Sequence, residues 1–248
     1  MNILLLTSTI KPNPDQPQLV LVNPVDRLKD YESALEFYAH QLARGRLDKI
    51  IFVDNSGFDL GCLSDRFQSK NIEWISFYGL DYPNTYHRGY GEFKLIDYAF
   101  SHSITLRALC DSDVVWKVTG RYIIKNMGNV IKLAPARFDL YCDVKKNWVD
   151  MGLMAWNKAG YNSLIKDVWQ KFATGMAPEL ILADAIKRQA DASDTIIMTY
   201  FWPPFVVGRR GYDGSKYIGR FTPIRFALTL VIKSILWPFR YLSNLIIK

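Results

Sequence analysis

The sequence predicts an α/β fold in which a mixed sheet is flanked by helices, and three observations lead there. Short runs at 3–6, 49–53 and 114–118, apolar but for Lys49 and Lys117, have the length and β-branched content of buried strands. Between them, apolar residues recur at helical spacing, as Leu28, Tyr31, Ala34, Leu35, Tyr38 and Leu42 do. Each run also ends abruptly in small and polar residues: Thr7-Ser8-Thr9, Asp54-Asn55-Ser56-Gly57 and Thr119-Gly120-Arg121-Tyr122. Open α/β sheets bind ligands outside the carboxyl ends of their strands, so these three clusters are the first candidates for chemistry.

Taken in order, residues 3–6 form a first strand, and a Pro-rich loop follows over 11–24. Asp26 can cap a helix running to residue 43. A strand at 49–53, a helical connection at 60–70 and an alternating strand at 72–78 complete strand, helix, strand, helix, strand, the start of a doubly wound (Rossmann-type) half. An aromatic loop leads to a helix over 92–109, then to the central strand at 114–118. Two later strands are expected at 137–143 and 148–156, helices at 161–174 and 178–189, and a last strand at 195–202 before Pro203-Pro204.

A chain of 248 residues that is 49% hydrophobic supports one large domain, here placed at 1–219, with an appended segment at 220–248. Three widely spaced cysteines, Cys62, Cys110 and Cys142, fit neither a zinc site nor a disulfide scaffold and read as buried thiols in a reducing compartment. The opening Met-Asn-Ile-Leu-Leu-Leu lacks a basic region and a cleavage site, so the expected location is cytoplasmic.

The net charge of +7 is unevenly placed. From Arg209 onward there are eight Lys and Arg against the single acid Asp213, which leaves the first 208 residues with 23 basic and 23 acidic groups. A neutral body gives no broad nucleic-acid footprint. Within the tail, 221–247 mixes aliphatic and aromatic residues with Arg225, Lys233 and Arg240 and contains no acid. Lys233, Pro238 and Arg240 interrupt it too often for a spanning helix, whereas an amphipathic helix lying on an anionic membrane surface suits it. A C-terminal core helix or an oligomer contact is the other reading.

The polar clusters suggest roles. Hydroxyls and amides at Thr7 and Thr9, and Asp54 with Asn55, suit a nucleoside, although Asp-Asn-Ser-Gly is also good turn chemistry. Arg88 with Gly89 and Gly91, just before a helix, can receive a phosphate. Gly120 permits close approach, and Arg121 offers a planar fork. Asp150 interrupts an apolar run and needs a partner or a purpose. Of the three histidines only His87, beside Arg88, attracts suspicion. No Gly-x-Ser-x-Gly elbow, P-loop or strict Gly-x-Gly-x-x-Gly supports a hydrolase, NTPase or dehydrogenase.

The string Lys117-Val-Thr-Gly-Arg121-Tyr122 resembles a K-x-T-G-R-Y signature of bacterial glycosyltransferases that build cell-surface polysaccharide, of the lipopolysaccharide O-antigen and capsule kind. The opening Met1-Asn-Ile-Leu-Leu-Leu-Thr7-Ser8-Thr9 and Arg88-Gly-Tyr-Gly91-Glu92 fit the same pattern, so the resemblance covers about the first half of the chain. It implies a GT-A-like fold and a hexosyltransferase-type enzyme with a nucleotide-diphosphate sugar as donor and a lipid-linked glycan as acceptor. It also implies that the region of Asp26, Arg27 and Tyr31 faces the nucleotide, although these residues equally suit a helix cap and its solvated first turns.

Many GT-A enzymes hold a metal with Asp-x-Asp, and Asp111-Ser112-Asp113 has those letters but precedes the strand instead of following it. The expected site is therefore metal-independent. Lys117, Arg121, Arg209, Arg210 and Lys216 supply the positive charge, with Thr119 and Gly120 beside them, and manganese or magnesium at Asp111 and Asp113 is the fallback. No cofactor beyond the activated co-substrate is expected. Asp150 is the first choice of base, followed by Glu92 and Glu179. Two rivals remain: another nucleotide-sugar or nucleotidyl-transfer enzyme, which a metal requirement would favour, and a non-catalytic membrane adaptor.

Overall fold

In the computed structural model the described residues are 1–216, apart from 18, 146 and 212, together with residue 231. The tail expected at 220–248, and the domain boundary that precedes it, lie outside the described residues but for that one position.

Strand β1 (Asn2–Ser8), helix α1 (Pro24–Ala43), β2 (Lys49–Asp54), α2 (Gly61–Arg66) and β3 (Ile72–Ser76) form the expected doubly wound half, with all three strands parallel. The runs are largely apolar because helices cover both faces. Leu4 and Leu6 pack with Tyr31, Ala34, Leu35 and Tyr38 of α1, whereas Ile3 and Leu5 pack with Phe93, Ile96 and Ala99 of α3 (Arg88–His102). A short α4 (Ile104–Arg107) leads to β4 (Val114–Thr119), which lies parallel to β1 on its other side, Leu6 opposite Val118.

Next come β5 (Ile123–Ile124), α5 (Met127–Lys132), β6 (Leu140–Lys145), β7 (Trp148–Trp156), the single turn α6 (Lys158–Gly160), α7 (Pro178–Ala192), β8 (Ile197–Met198) and β9 (Val206–Val207). The seven-stranded sheet has the order β3-β2-β1-β4-β7-β6-β8, with β7 antiparallel to both neighbours, and β5 pairs with β9 in a separate ribbon. The α/β reading with a mixed sheet therefore holds. Since β7 runs against β4, its beginning lies at the carboxyl edge of the parallel strands.

Several boundaries differ for identifiable reasons. Asn23, not Asp26, caps α1: its side chain accepts from the Val25 amide at 2.9 Å, and Pro24 presets the first helical turn. The helix expected over 92–109 starts at Arg88 and breaks at Ser103, whose hydroxyl caps α4 while Glu73 takes the Ile104 amide at 2.7 Å. The helix expected over 161–174 is a π turn (Tyr161–Ile165) and a 3-10 turn (Val168–Phe172) separated by Asp167, which is left-handed at φ 61°. Asp97 enforces that break by accepting from Tyr161 Oη, the Asp167 amide and Trp169 Nε1, so a tertiary anchor overrides helical spacing. The last strand shrinks to the two residues of β8.

One buried hydroxyl fixes the turn beyond β4. Tyr38 Oη donates to the Tyr122 carbonyl and accepts from the Ile124 amide, both at 3.0 Å. Burial pushes this phenol well above its usual range, so it is neutral. Tyr38→Phe leaves a buried amide and carbonyl without a partner and is expected to cost about 1–3 kcal/mol, read as a lower urea midpoint at unchanged slope.

Candidate active site

A cleft of about 590 Å³ opens along the carboxyl edge of β1, β2 and β4. Thr7, Ser8 and Thr9 line it from the end of β1, Asn55 from beyond β2, and Thr119, Arg121 and Tyr122 from the end of β4. The polar clusters singled out in the sequence thus meet at one edge. From above, α1 contributes Arg27 and Tyr31, α3 contributes Arg88 and Glu92, and α7 contributes Glu179. The start of β7 adds Trp148 and Asp150, and the segment after β9 adds Arg210.

Beneath the floor lies a charge the sequence placed in the cleft itself. Lys117 is fully buried, its ammonium 2.6 Å from Glu92 Oε1 and 2.6 Å from the Met151 carbonyl. Glu92 Oε1 also accepts from Thr7 Oγ1 at 2.8 Å and Thr119 Oγ1 at 3.1 Å. Burial alone would raise the Glu92 pKa, but the Lys117 charge, its hydrogen bond and those of the two threonines outweigh burial and hold the carboxyl below its ordinary range. Lys117 therefore does not face a ligand, and Glu92, committed to it, is a poor proton acceptor.

The Met151 carbonyl is free to meet Lys117 because β7 bulges. Along β6 the partners pass directly from Cys142 to Asp143, while β7 passes from Met154 to Asp150. Three backbone groups at the bulge find side-chain partners: Met151 O in Lys117, Leu153 O in Tyr200 Oη at 2.8 Å, and the Gly152 amide in Asp150 Oδ1 at 2.8 Å. Asp150 thereby sits at the cleft wall with one oxygen engaged by its own loop.

Among the described residues four guanidinium groups line the cleft, those of Arg27, Arg88, Arg121 and Arg210, the last paired with Asp213 at 2.7 Å. Arg27, 3% exposed, donates to the carbonyls of Thr9 at 2.6 Å and Leu21 at 3.0 Å and to Tyr31 Oη. Arg121 Nε donates to the Arg209 carbonyl at 3.1 Å. Burial and the nearby Arg121 push the Arg88 guanidinium below its usual pKa, yet an arginine stays charged. Gly120 is glycine because a Cβ there would stand 2.8 Å from the Thr7 carbonyl and crowd Tyr31, so its role is to let β4 turn against β1.

Other expectations are corrected. Of the three cysteines expected to be buried only Cys142 is, while Cys62 and Cys110 are exposed. Asp54 is fully buried and ties its own loop: Oδ1 accepts from the Ser56 amide and hydroxyl, and Oδ2 from Ser8 Oγ and the Ile10 amide. Arg209 forms a two-pronged pair with Asp30, with contacts of 3.0 and 3.1 Å, and lines no part of the cleft. Lys216 is exposed opposite Arg209 in an isolated bridge and is likewise not a cleft residue. Gly91 lies inside α3, where a side chain would strike the Tyr82 hydroxyl, and its carbonyl accepts from Asn55 Nδ2 at 3.2 Å. The first free amide of α3, that of Gly89, is capped by His87 Nδ1 at 3.2 Å, so the expected phosphate seat at the helix entry is occupied by the protein. Asn55 and Thr9 bond each other at 2.6 Å on the cleft wall.

Asp113 lies at the opposite, amino end of β4. It accepts from the chain's amino terminus at 2.6 Å and from the Cys110 amide at 2.9 Å. Asp111 is exposed beside it, and among the described residues no cluster of three or more His, Cys, Asp or Glu is arranged to hold a metal ion. Glu179 is different in kind: burial raises its pKa, its helix-entry hydrogen bond and Arg88 oppose, and the negative Glu92 and Asp150 add to the rise. Cleft residues that sequence reasoning passed over include Asn13, Gln16, Tyr82 and Trp148. Only the alternation of Trp148 with Asp150 along an expected strand could have signalled one of them.

No protein-family model matches the chain, and no curated protein matches its sequence. Among solved structures, a candidate nucleotide-diphospho-sugar transferase from Desulfovibrio desulfuricans G20 aligns over 80% of this chain and 78% of its own at 13% identity, with a TM-score of 0.42. The inositol-1-phosphate CTP transferase from T. maritima aligns over 80% and 84% at 12% identity and a TM-score of 0.44. The CTP:phosphocholine cytidylyltransferase from Streptococcus pneumoniae aligns over 84% and 92% at 11% identity and a TM-score of 0.39. Likenesses this distant carry no weight for function, which has to be argued from the cleft.

Two expectations test the electrostatics. Glu92→Gln strands a fully buried ammonium and should cost about 3–5 kcal/mol, of which Lys117→Met in the same chain recovers a substantial part; a near-neutral single variant would contradict the pairing. Glu179 has a raised pKa, so its ionised form is disfavoured by folding: its contribution is favourable at acid pH and is lost as pH rises through the folded value. Glu179→Gln should therefore raise the melting temperature at pH 8 and leave it nearly unchanged at pH 4.

Proposed function

We propose that the protein is a nucleotide-sugar-dependent glycosyltransferase of the hexosyltransferase type. In this reading it moves a sugar from a nucleotide-diphosphate donor to a hydroxyl of a lipid-linked surface glycan of the O-antigen, lipopolysaccharide or capsule kind. The observation that carries this reading is the presence, in one cleft, of Arg27, Arg88 and Arg121, with Arg210 paired to Asp213 at its edge, together with Asp150 and Glu179. Sugar transfer needs positive charge for the departing diphosphate and an acceptor for the hydroxyl proton. Guanidinium forks meet the first need, since their planar donors match phosphate oxygens.

Arg121 and Arg88 neutralise the diphosphate as its bond to the anomeric carbon breaks, with Arg27 and Arg210 completing the cation lining. The acceptor oxygen forms the new bond to that carbon, and its proton passes to a carboxylate. Glu179, with its raised proton affinity, and Asp150 are the groups for that role. Glu92 is a positioning residue, since Lys117 neutralises it. The diphosphate is neutralised here by arginines in place of a divalent ion. The basic tail, outside the described residues, holds the enzyme on the anionic cytoplasmic face of the membrane. Among the described residues, no helix is long and apolar enough to cross a membrane.

Arg121→Ala is expected to keep the fold and lower transfer by about two to four powers of ten, since a preorganised cation for the leaving group is lost. Near-normal turnover in the folded variant would overturn the role. Activity should survive a chelator; loss in chelator with recovery in manganese would instead favour nucleotidyl-type, metal-assisted chemistry at another site. Full-length protein should sediment with phosphatidylglycerol vesicles at low salt, and indifference to them would remove the membrane part of the proposal.

A further inference from the structure

The start of β7 carries a feature that diphosphate binding does not use. Trp148, Asp150 and Gly152 alternate with Val149 and Met151, which are buried in the core on the other face, so the three share the less buried side of the strand up to the bulge. Trp148 is 41% exposed, unusual for so large an apolar group, and it lines the cleft. Two residues on stands Asp150, and then Gly152, whose bare Cα faces the Tyr122 ring: a Cβ there would lie 3.5 Å from it.

An exposed indole, a carboxylate with one oxygen committed to the Gly152 amide, and a second ring at the inner end form a strip that is flat and apolar in part and hydrogen-bond-accepting in part. A pyranose has the same division: one face presents C–H groups that pack on an aromatic ring, while its edge presents hydroxyl donors. The strip itself carries no cation: its charged group is the Asp150 carboxylate, whereas the cleft-lining arginines stand on α1, on α3, in the turn after β4 and in the segment after β9. A diphosphate drawn to the arginines leaves the β7 strip for the other reactant.

We propose that Trp148, Asp150 and Gly152 form the binding site for the acceptor's terminal sugar, a neutral pyranoside that stacks on the Trp148 indole and donates hydroxyl hydrogen bonds to Asp150. The proposal deepens the glycosyltransferase reading and rests on it. Of the two carboxylates available for the proton, Asp150 is accordingly the acceptor's recognition group, which leaves Glu179 as the proton acceptor. The bulge in β7, where Lys117 holds the Met151 carbonyl, sets where Asp150 stands on the cleft wall.

The test uses the full-length chain and separates sugar binding from nucleotide binding. Saturation-transfer NMR with the methyl α-glycosides of glucose, galactose, mannose and rhamnose reports the sugar strip, and melting shifts with UDP, GDP, CDP and TDP report the arginine side. At least one glycoside is expected to receive saturation from the wild type. That signal should fall at least tenfold in Trp148→Ala and return in part in Trp148→Phe, while all three proteins keep the same nucleotide shift. Wild-type protein that binds none of the glycosides, or Trp148→Ala that binds them undiminished, overturns the sugar site. Glycoside binding that depends on Trp148 in a protein no nucleotide stabilises would uphold the sugar site and overturn the glycosyltransferase reading instead.

Discussion

An ammonium group is costly to bury without partners, and the candidate site is arranged around one that is buried with them. Lys117, with no exposed surface, draws ligands from three directions: the Glu92 carboxylate on α3, the Met151 carbonyl on β7 and, at 3.4 Å, the Thr119 hydroxyl on its own strand. Glu92 in turn gathers Thr7 from β1. The two central strands, the helix above them and the first antiparallel strand are thereby held at one point just below the cleft floor. Supplying a backbone carbonyl from mid-strand requires that carbonyl to leave the sheet ladder, which the β7 bulge allows. The same bulge places Asp150 on the cleft wall, so a structural charge below positions a chemical one above.

A second consequence concerns how the arginines are held. Arg27 spends its donors on the carbonyls of Thr9 and Leu21, and Arg121 spends one on the carbonyl of Arg209. These bonds fasten the loop after β1 and the segment after β9 to the end of the sheet. The Val20 and Leu21 amides, which both donate to the Gly211 carbonyl, close the same wall. Cations fixed by backbone carbonyls need little reorganisation when an anion arrives, which is the condition under which charge is most effective in a partly buried site.

Much of this was legible in the chain. The first half reads correctly because strands buried on both faces must be largely apolar, and those at 3–6, 49–53 and 114–118 advertise it, with Lys117 as the exception that needs partners. The polar clusters that end them do meet at one edge, since parallel strands bring their carboxyl ends together whatever their side chains are. The errors are of another sort. Asp54 looked like a ligand for a nucleoside and is a tie for its own loop. Arg209 looked like a phosphate ligand and is Asp30's partner. The helix at 161–174 had helical spacing but met Asp97, seventy residues away, which stabilises a left-handed residue in its middle.

By itself, then, the sequence determined the layer order of the first half, the edge at which the polar groups collect and the sign of their charge, because these follow from periodicity and from which residues tolerate burial. Only the tertiary structure decided which of those groups face the cleft and which are consumed within the protein. Lys117 and Arg121 are four residues apart in one strand and turn, equally basic in composition. One ends beneath the floor against Glu92 and the other lines the cleft. That difference is set by partners brought from α3, β7 and the segment after β9. A polar side chain's role depends on whether such a partner has already satisfied it, which no local pattern of residues records.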